Sequence, residues 1–375
     1  MKKFIIKIIL YSIPILLFYV FPICVIYLGK EYYTVKDVVT IQNNNKDTLY
    51  GTAYNNDTYI SYKKLLFETN NPDVFVLGAS RSIQIKKEFF SSSTRFINAG
   101  IPAETINDTK YFIENISPTK KRVLLLDIDR EMLLMDYSAK NPHFDSYFSL
   151  FGFNFHLPLQ HARAIYMDYF LRHKYSFINL IRSANKINTL GIAAFADENG
   201  FRSDGSANSK GKITFNSSAI ILEANAKAKE ILETKDNFSS LDSINITANL
   251  KTLQKILSLC KSKNIIVVGF IPPYMSAINN ATLDKNSLNG ERNIKMTDDI
   301  SSIFKKEGFN FYDLSDISKY GGLDNEFFDT AHGTDLIYAK LSLYLAKYDK
   351  TMNKYFNTGI LKDMIKKSKN NSFIF

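Results

Sequence analysis

Residues 71–82 read NPDVFVLGASRS, an unbroken apolar run followed by a turn of small residues carrying two serines and an arginine. A short apolar run bounded by turn residues fits a strand buried on both faces of a parallel sheet. Downstream, TRFINAG (94–100) and KRVLLLDID (121–129) repeat the signal, and AETINDTKYFIENI between them has helical spacing. This βαβαβ alternation predicts a three-layer α/β/α domain with a parallel sheet. The rhythm stops over 140–245, a stretch rich in aromatics that holds the loop ENGFRSDGSANSKGK (198–212). It resumes with the amphipathic ITANLKTLQKILSLCKSKN, the strands IIVVGFIPP (265–273) and FNFYDLSD (309–316), and EFFDTAHGTDLIYAKLSLYLAKY. One α/β domain over 71–350 is expected, with 140–245 as a helical cap inserted in it.

The chain has 375 residues, enough for a large core, and is 45% hydrophobic with no long low-complexity tract. Its net charge of +10 is spread along the chain as single Lys and Arg residues. No helix-turn-helix, zinc or RNA-binding signature accompanies that charge, so nucleic acid is not the expected partner. An anionic envelope surface or polymer fits better. Cys24 lies in the apolar N-terminal run and Cys260 in a predicted helix, so no intrachain disulfide is expected. No Cys/His cluster has the spacing of a metal site, and no cofactor is implied. His143, His156, His161 and His173, without such spacing, read as structural or exposed.

The N-terminus carries the clearest organisational signal. Ile8 to Gly29 holds no charge, long enough at 1.5 Å per residue to span a bilayer of about 30 Å. Lys2, Lys3 and Lys7 precede it, favouring a cytoplasmic N-terminus and an exported remainder. The run ends in bulky Val25, Ile26, Tyr27 and Leu28 rather than a small-residue cleavage site. An uncleaved signal anchor over 1–30 is the preferred reading. Residues 31–70, polar and Asn-rich, read as a stalk, and 351–375 as a basic peripheral tail.

In an open parallel sheet, functional groups gather beyond the carboxyl ends of the strands. LGAS, INAGIPAE and the loop FFDTAHG should all end there, bringing Ser80, a turn with free backbone N–H groups, and an Asp/His pair together. A serine hydroxyl is a weak nucleophile unless a base takes its proton. His332 can be that base, and Asp329 can hold the imidazole's tautomer, with Gly333 relaxing the backbone beside them. Singly, the same residues also fit a turn serine, a surface histidine before a helix, and a helix cap.

The combination resembles the SGNH (GDSL-like) hydrolase superfamily, specifically its membrane-anchored branch related to alginate O-acetylation and teichoic-acid D-alanylation proteins. The resemblance covers roughly 72–350 and rests on two short motifs plus topology. GAS matches the family's serine block with Ala79 in place of the usual aspartate, implying Ser80 as nucleophile. DTAH matches its last block, implying Asp329 and His332 as the other catalytic residues. NAGIPAET matches the second block at Asn98, Gly100 and Thr105; its oxyanion glycine falls on Ala103, whose backbone N–H could still donate. The third block's asparagine is absent, and Asp129 and Arg130 stand there. VVGFIPPY resembles the strand that walls the pocket and FYDLSD the strand before the catalytic loop. Arg81, beside the nucleophile, fits an anion-binding residue or a solvated helix-start arginine.

By that resemblance the chain is a serine acyltransferase outside the cytoplasmic membrane. It would O-acetylate a cell-envelope polysaccharide beside a polytopic membrane O-acyltransferase. The same residues with water as acceptor make an esterase or deacetylase, and a third reading is a non-catalytic anchored adaptor.

Overall fold

A computed structural model of the chain describes residues 2–54, 59–101, 105–118, 120–135, 159–186, 188–208, 217–233 and 240–368. Its helices of eight residues or more are α1 (Lys2–Leu28), α2 (Val35–Asn44), α3 (Tyr59–Asn70), α4 (Ile106–Glu114), α5 (Leu159–Tyr166), α6 (Phe177–Ala184), α7 (Ser217–Glu233), α8 (Ser240–Ser262), α9 (Leu288–Glu307), α10 (Asp335–Tyr348) and α11 (Thr358–Lys367). The main sheet is built from β1 (Val74–Leu77), β2 (Phe96–Asn98), β3 (Arg122–Asp127), β4 (Ile265–Ile271) and β5 (Asn310–Asp313). The chain divides into two compact units, 1–62 with 145–203, and 63–144 with 204–375.

The larger unit is mixed α/β, with a five-stranded sheet in the order β2-β1-β3-β4-β5. All four pairings are parallel, in a register that sets Val76 beside Asn98 and Leu125, Leu125 beside Val268, and Phe270 beside Tyr312. The continuous apolar runs are explained by burial on both sheet faces. Val74, Val76, Val123, Leu125, Val268 and Phe270 belong to one core with Ile337, Tyr338, Leu341 and Leu345 of α10. On the other side Phe75 meets Phe67 of α3 at 4.9 Å, and Phe67 meets Phe112 of α4 at 5.5 Å between ring centroids. Burying each such side chain contributes about 1.5–3 kcal/mol. Gly269 of β4 is required by packing, because a Cβ there would lie 2.3 Å from the Phe304 ring of α9.

The smaller unit holds α1, α2, α5 and α6. Its strand Leu49–Tyr50 pairs parallel with Thr189–Leu190, and Tyr50 pairs antiparallel with Phe201. Just after α1, Glu31 is buried and accepts the backbone N–H groups of Ala53 (2.8 Å), Ile192 (2.8 Å) and Tyr54 (3.4 Å). Burial pushes its carboxyl up to about 7, against the lowering effect of those three donors.

Three expectations about organisation differ from what is observed. Residues 31–70 are not a stalk: α2 starts at a capping box between Thr34 and Asp37 and buries Val38, Val39 and Gln42, and α3 buries Tyr62, Leu66 and Phe67. An Asn-rich composition hid an amphipathic helix whose Asn residues cluster at its end. Residues 140–245 do not form one cap. The stretch 159–203 joins the smaller unit, whereas Asp204 belongs to the sheet unit, its carbonyl accepting the Asn98 N–H at 2.8 Å and its carboxylate the Lys87 N–H at 2.8 Å. Residues 351–368 are not a loose tail, since Met352, Phe356 and Leu361 join the core and Phe356 stacks on Phe90 at 4.7 Å. Here basic residues mark the outer side of an amphipathic helix.

No single helix among the described residues is long and apolar enough to cross a membrane. Phe4–Pro14 and Phe18–Leu28, bent by 48° from each other, meet the length and composition together. The bend follows Pro14, which lacks an N–H for the helix ladder.

Candidate active site

β1 ends at Leu77, and the chain turns at Gly78 into a 3₁₀ turn, Ser80–Gln84. Only glycine fits at 78, because a Cβ would come within 2.4 Å of the Asp127 Cβ at the end of β3. Ser80 opens the turn and is exposed to solvent. As the turn's first residue it has no acceptor for its N–H within the turn. Ala79, at the cap position, supplies no side-chain bond.

Asn98 ties this turn to the end of β2. Its side chain is wholly buried, and Nδ2 donates to the carbonyls of Ser82 and Ile85, both at 2.9 Å. Its Oδ1 accepts the Gly100 N–H at 2.9 Å. Gly100 lies so close that a Cβ would meet Asn98 Oδ1 at 2.9 Å and Ser82 Oγ at 3.1 Å. Ile101 then takes φ +90°, a region that costs a β-branched residue, and its N–H donates to the Gly78 carbonyl at 2.9 Å.

The second half of the site is the loop 327–334. An antiparallel bridge between Phe327 and Gly333 closes it, and Thr334 N–H donates to Glu326 at 2.9 Å. Inside it Asp329 Oδ1 accepts the N–H groups of Ala331 (2.8 Å) and His332 (2.7 Å). The carboxylate also meets His332 Nδ1 at 2.9 Å through Oδ2. Burial alone would raise the Asp329 carboxyl; the His332 imidazole and the two backbone donors outweigh it and hold the group at about 2. An ionised carboxylate can only accept, so Nδ1 carries the proton and Nε2 is left as an acceptor. Ser80 Oγ lies 2.9 Å from that Nε2. Phe328 stacks on the imidazole, ring planes 6° apart.

The chain matches no protein-family model, no curated protein and no solved structure.

Three of the residues singled out in the sequence, Ser80, Asp329 and His332, are thus brought into one hydrogen-bonded relay. The other three candidates stand differently. Ala103 lies outside the described residues, as do His143 and His156. The Gly100 N–H is not free for an oxyanion, because Asn98 accepts it. Arg81 is not an open anion-binding group: it is 12% exposed, its Nη1 is 3.1 Å from Asp129 Oδ2, and its guanidinium lies 4.0 Å over the Tyr274 ring. Asp129, standing where the third block's asparagine is absent, pairs with that arginine and accepts the Tyr274 hydroxyl at 2.5 Å. Arg130 turns away, donating to Thr297 at 3.0 Å and reaching Asp313 and Ser315 at 3.3 Å.

Sequence reasoning missed three residues that fasten the site, Lys86 and Asp335 as a pair and Lys227 at the rim. Lys86 Nζ and Asp335 Oδ2 form an ion pair at 2.9 Å with both side chains almost wholly buried. Lys86 follows the serine turn and Asp335 starts α10 just after His332, so this bond fastens one half of the site to the other. No sequence signal separated Lys86 from its neighbour Lys87 in SIQIKKEFF. Lys227 of α7 donates to the Thr330 hydroxyl between Asp329 and His332.

A pocket lined by Phe67, Tyr111, Phe112, Asn115 and Arg122 lies at the amino end of β3. It is at the opposite strand ends from Ser80, so it plays no part in this chemistry. Among the described residues no group of three or more His, Cys, Asp or Glu could hold a metal ion.

Proposed function

We propose that the chain is an extracytoplasmic serine acyltransferase of the SGNH type. On this reading the sheet unit is a three-layer SGNH/flavodoxin-like domain, with α1 as its membrane anchor. The observation that carries the reading is the relay Ser80 Oγ–His332 Nε2, His332 Nδ1–Asp329 Oδ2, with both contacts at 2.9 Å. The strand order, with β1 inside the sheet between β2 and β3 and the serine at its carboxyl end, supports the same reading.

The chemistry follows from the relay. His332 Nε2 takes the Ser80 proton as Oγ attacks an acyl ester or thioester carbonyl. The imidazolium formed is stabilised by Asp329, which stays ionised. The Ser80 N–H, which has no acceptor within its turn, serves on this reading as an oxyanion donor. Collapse expels the alcohol or thiol, which receives the proton from Nε2, and leaves an acyl-serine. A sugar hydroxyl then gives its proton to Nε2, attacks the acyl carbon and frees Ser80 as the acyl group passes to the glycan. The acceptor proposed is a cell-envelope polysaccharide, and the acyl donor is supplied by a polytopic membrane O-acyltransferase. A net charge of +10 suits an anionic polymer or surface.

Hydrolysis is the second reading, and the exposure of Ser80 to solvent favours it, since water could resolve the same acyl-serine. The deciding experiment treats the full chain with a fluorophosphonate and maps the adduct by mass. Labelling at Ser80 that is lost in His332→Ala supports an activated serine; equal labelling in both sinks the relay. Incubating the acyl-enzyme with glycan then separates transfer from hydrolysis by whether acylated glycan or free acid appears.

A further inference from the structure

The N-terminal helix does not stand alone in its unit. Pro22 has no N–H, so the Phe18 carbonyl one turn earlier loses its ladder partner. The Tyr166 hydroxyl, at the end of α5, donates to that carbonyl at 2.8 Å. Around this bond the Tyr166 ring stacks on Phe18 at 5.0 Å, and Phe21 meets Tyr169 at 4.9 Å. Val25 is fully buried in one cluster with Ile165 of α5 and Leu180 of α6. The last part of α1 is therefore clothed by α5, by the π-helical segment Met167–Leu171 and by α6.

These clothing elements also expose large apolar side chains. Phe170, Leu171, Ile178 and Ile181 are 47–66% exposed, although α6 already buries Leu180 on its inner side. Large apolar side chains exposed together within one short stretch mark a surface that meets a membrane or a partner. The same stretch, 159–186, carries Arg163, Arg172, Lys174, Arg182 and Lys186 against the single acid Asp168. Exposed aromatics and aliphatics flanked by cations match a surface seated among anionic lipid headgroups. The length of α1 points the same way. The part of α1 ahead of Phe18, residues 4–17, covers ~21 Å at 1.5 Å per residue, short of a hydrocarbon core of about 30 Å. An interfacial helix sinks about 5–10 Å below the headgroups, which makes up that shortfall.

We infer that α5, the π-helical segment and α6 form an interfacial collar around the anchor. Phe170, Leu171, Ile178 and Ile181 enter the acyl region of an anionic bilayer, and the flanking Arg and Lys residues meet its headgroups. This rests on the reading of α1 as a membrane anchor.

The chain contains no tryptophan, so single Trp substitutions report without background. Leu10→Trp, Phe170→Trp, Ile178→Trp and Ile181→Trp would be made in the full chain. Each is reconstituted in phosphatidylcholine/phosphatidylglycerol vesicles, with and without brominated acyl chains, and titrated with iodide. The expected result is loss of most of the emission with brominated lipid and shielding from iodide at all four positions. Iodide quenching at 170, 178 and 181, with bromine quenching only at 10, overturns the collar and leaves the anchor standing. Absence of bromine quenching at 10 as well overturns both. Shielding of 170, 178 and 181 from both quenchers means that a second copy covers this face, and the collar is wrong.

Discussion

Ser80 and His332 stand 252 positions apart in the chain, yet the serine Oγ lies 2.9 Å from the imidazole Nε2. Two separate loops must be ordered against each other to make that contact. Asn98 fixes the first loop by bonding the Ser82 and Ile85 carbonyls, and the buried Lys86–Asp335 pair joins the first to the second. The relay is a consequence of those fastenings, and disturbing them should disturb the serine without touching it.

Asp329 sets the tautomer of His332. With Asp329→Asn the amide can donate to Nδ1, which moves the ring proton to Nε2 and removes the acceptor for Ser80. Fluorophosphonate labelling of Ser80 should slow by about 10³–10⁴-fold, the scale of tautomer loss in such relays. Thermal stability should fall modestly near neutral pH, where the ionised Asp329 contributes, and the gap to wild type should close toward pH 2. The carboxyl's folded value of about 2 lies below its unfolded one, so its stabilising share is complete above the ordinary carboxylate range. That share is lost as pH falls through about 2. A variant that labels as fast as wild type would remove Asp329 from the machinery.

Lys86→Met strands the Asp335 carboxylate in the interior. A buried pair broken from one side costs about 3–5 kcal/mol, whereas replacing both partners by apolar groups is often neutral or better. Urea unfolding should therefore show a large loss for Lys86→Met and recovery of most of it in the double variant with Asp335→Leu. Additive losses in the double variant would contradict the pairing.

Asn98→Ala removes three hydrogen bonds and leaves the buried Ser82 and Ile85 carbonyls without their side-chain donor. Unfolding free energy should fall by about 2–4 kcal/mol, from about 0.5–1.5 kcal/mol net per bond. Ser80 labelling should slow in the folded variant as well, because the turn that carries the nucleophile loses its tie to β2. Stability loss with an unchanged labelling rate would confine Asn98 to the core.

Asp127 lies fully buried at the end of β3 beside Gly78. Burial, then the neighbouring Asp129 carboxylate, push its carboxyl well above the usual range, with Arg81 offsetting part of the rise. The folded state thus keeps a proton that the unfolded chain releases, and stability falls as pH rises above the ordinary carboxylate value. Asp127→Asn cannot ionise and escapes that slope. Melting curves should show the variant gaining on wild type between about pH 4.5 and about pH 7.5. A constant difference across that window would mean that Asp127 is ionised in the fold.

Much of this was legible in the order of residues. The apolar runs at 74–77, 96–98, 122–127 and 265–271 point to a parallel sheet, because a strand buried on both faces has no polar side to alternate. GAS and DTAH named the serine, the histidine and the aspartate, since each motif sits where a strand or loop must end. Composition misled where function of a segment depended on its partners. The Asn-rich stretch after α1 conceals α2, and the basic C-terminal residues mark the outer side of α11.

What the sequence by itself determined is local: which segments are strands, which residues can do proton-transfer chemistry, and an apolar N-terminal helix. Only the tertiary structure decided which side chains are consumed by one another. Arg81 beside Ser80 looks like a substrate group until Asp129 and Tyr274 are seen to hold it, and the Gly100 N–H looks free until Asn98 accepts it. Whether a polar group is available depends on atoms far away in the chain, and desolvation strengthens or silences it only once those atoms have closed around it.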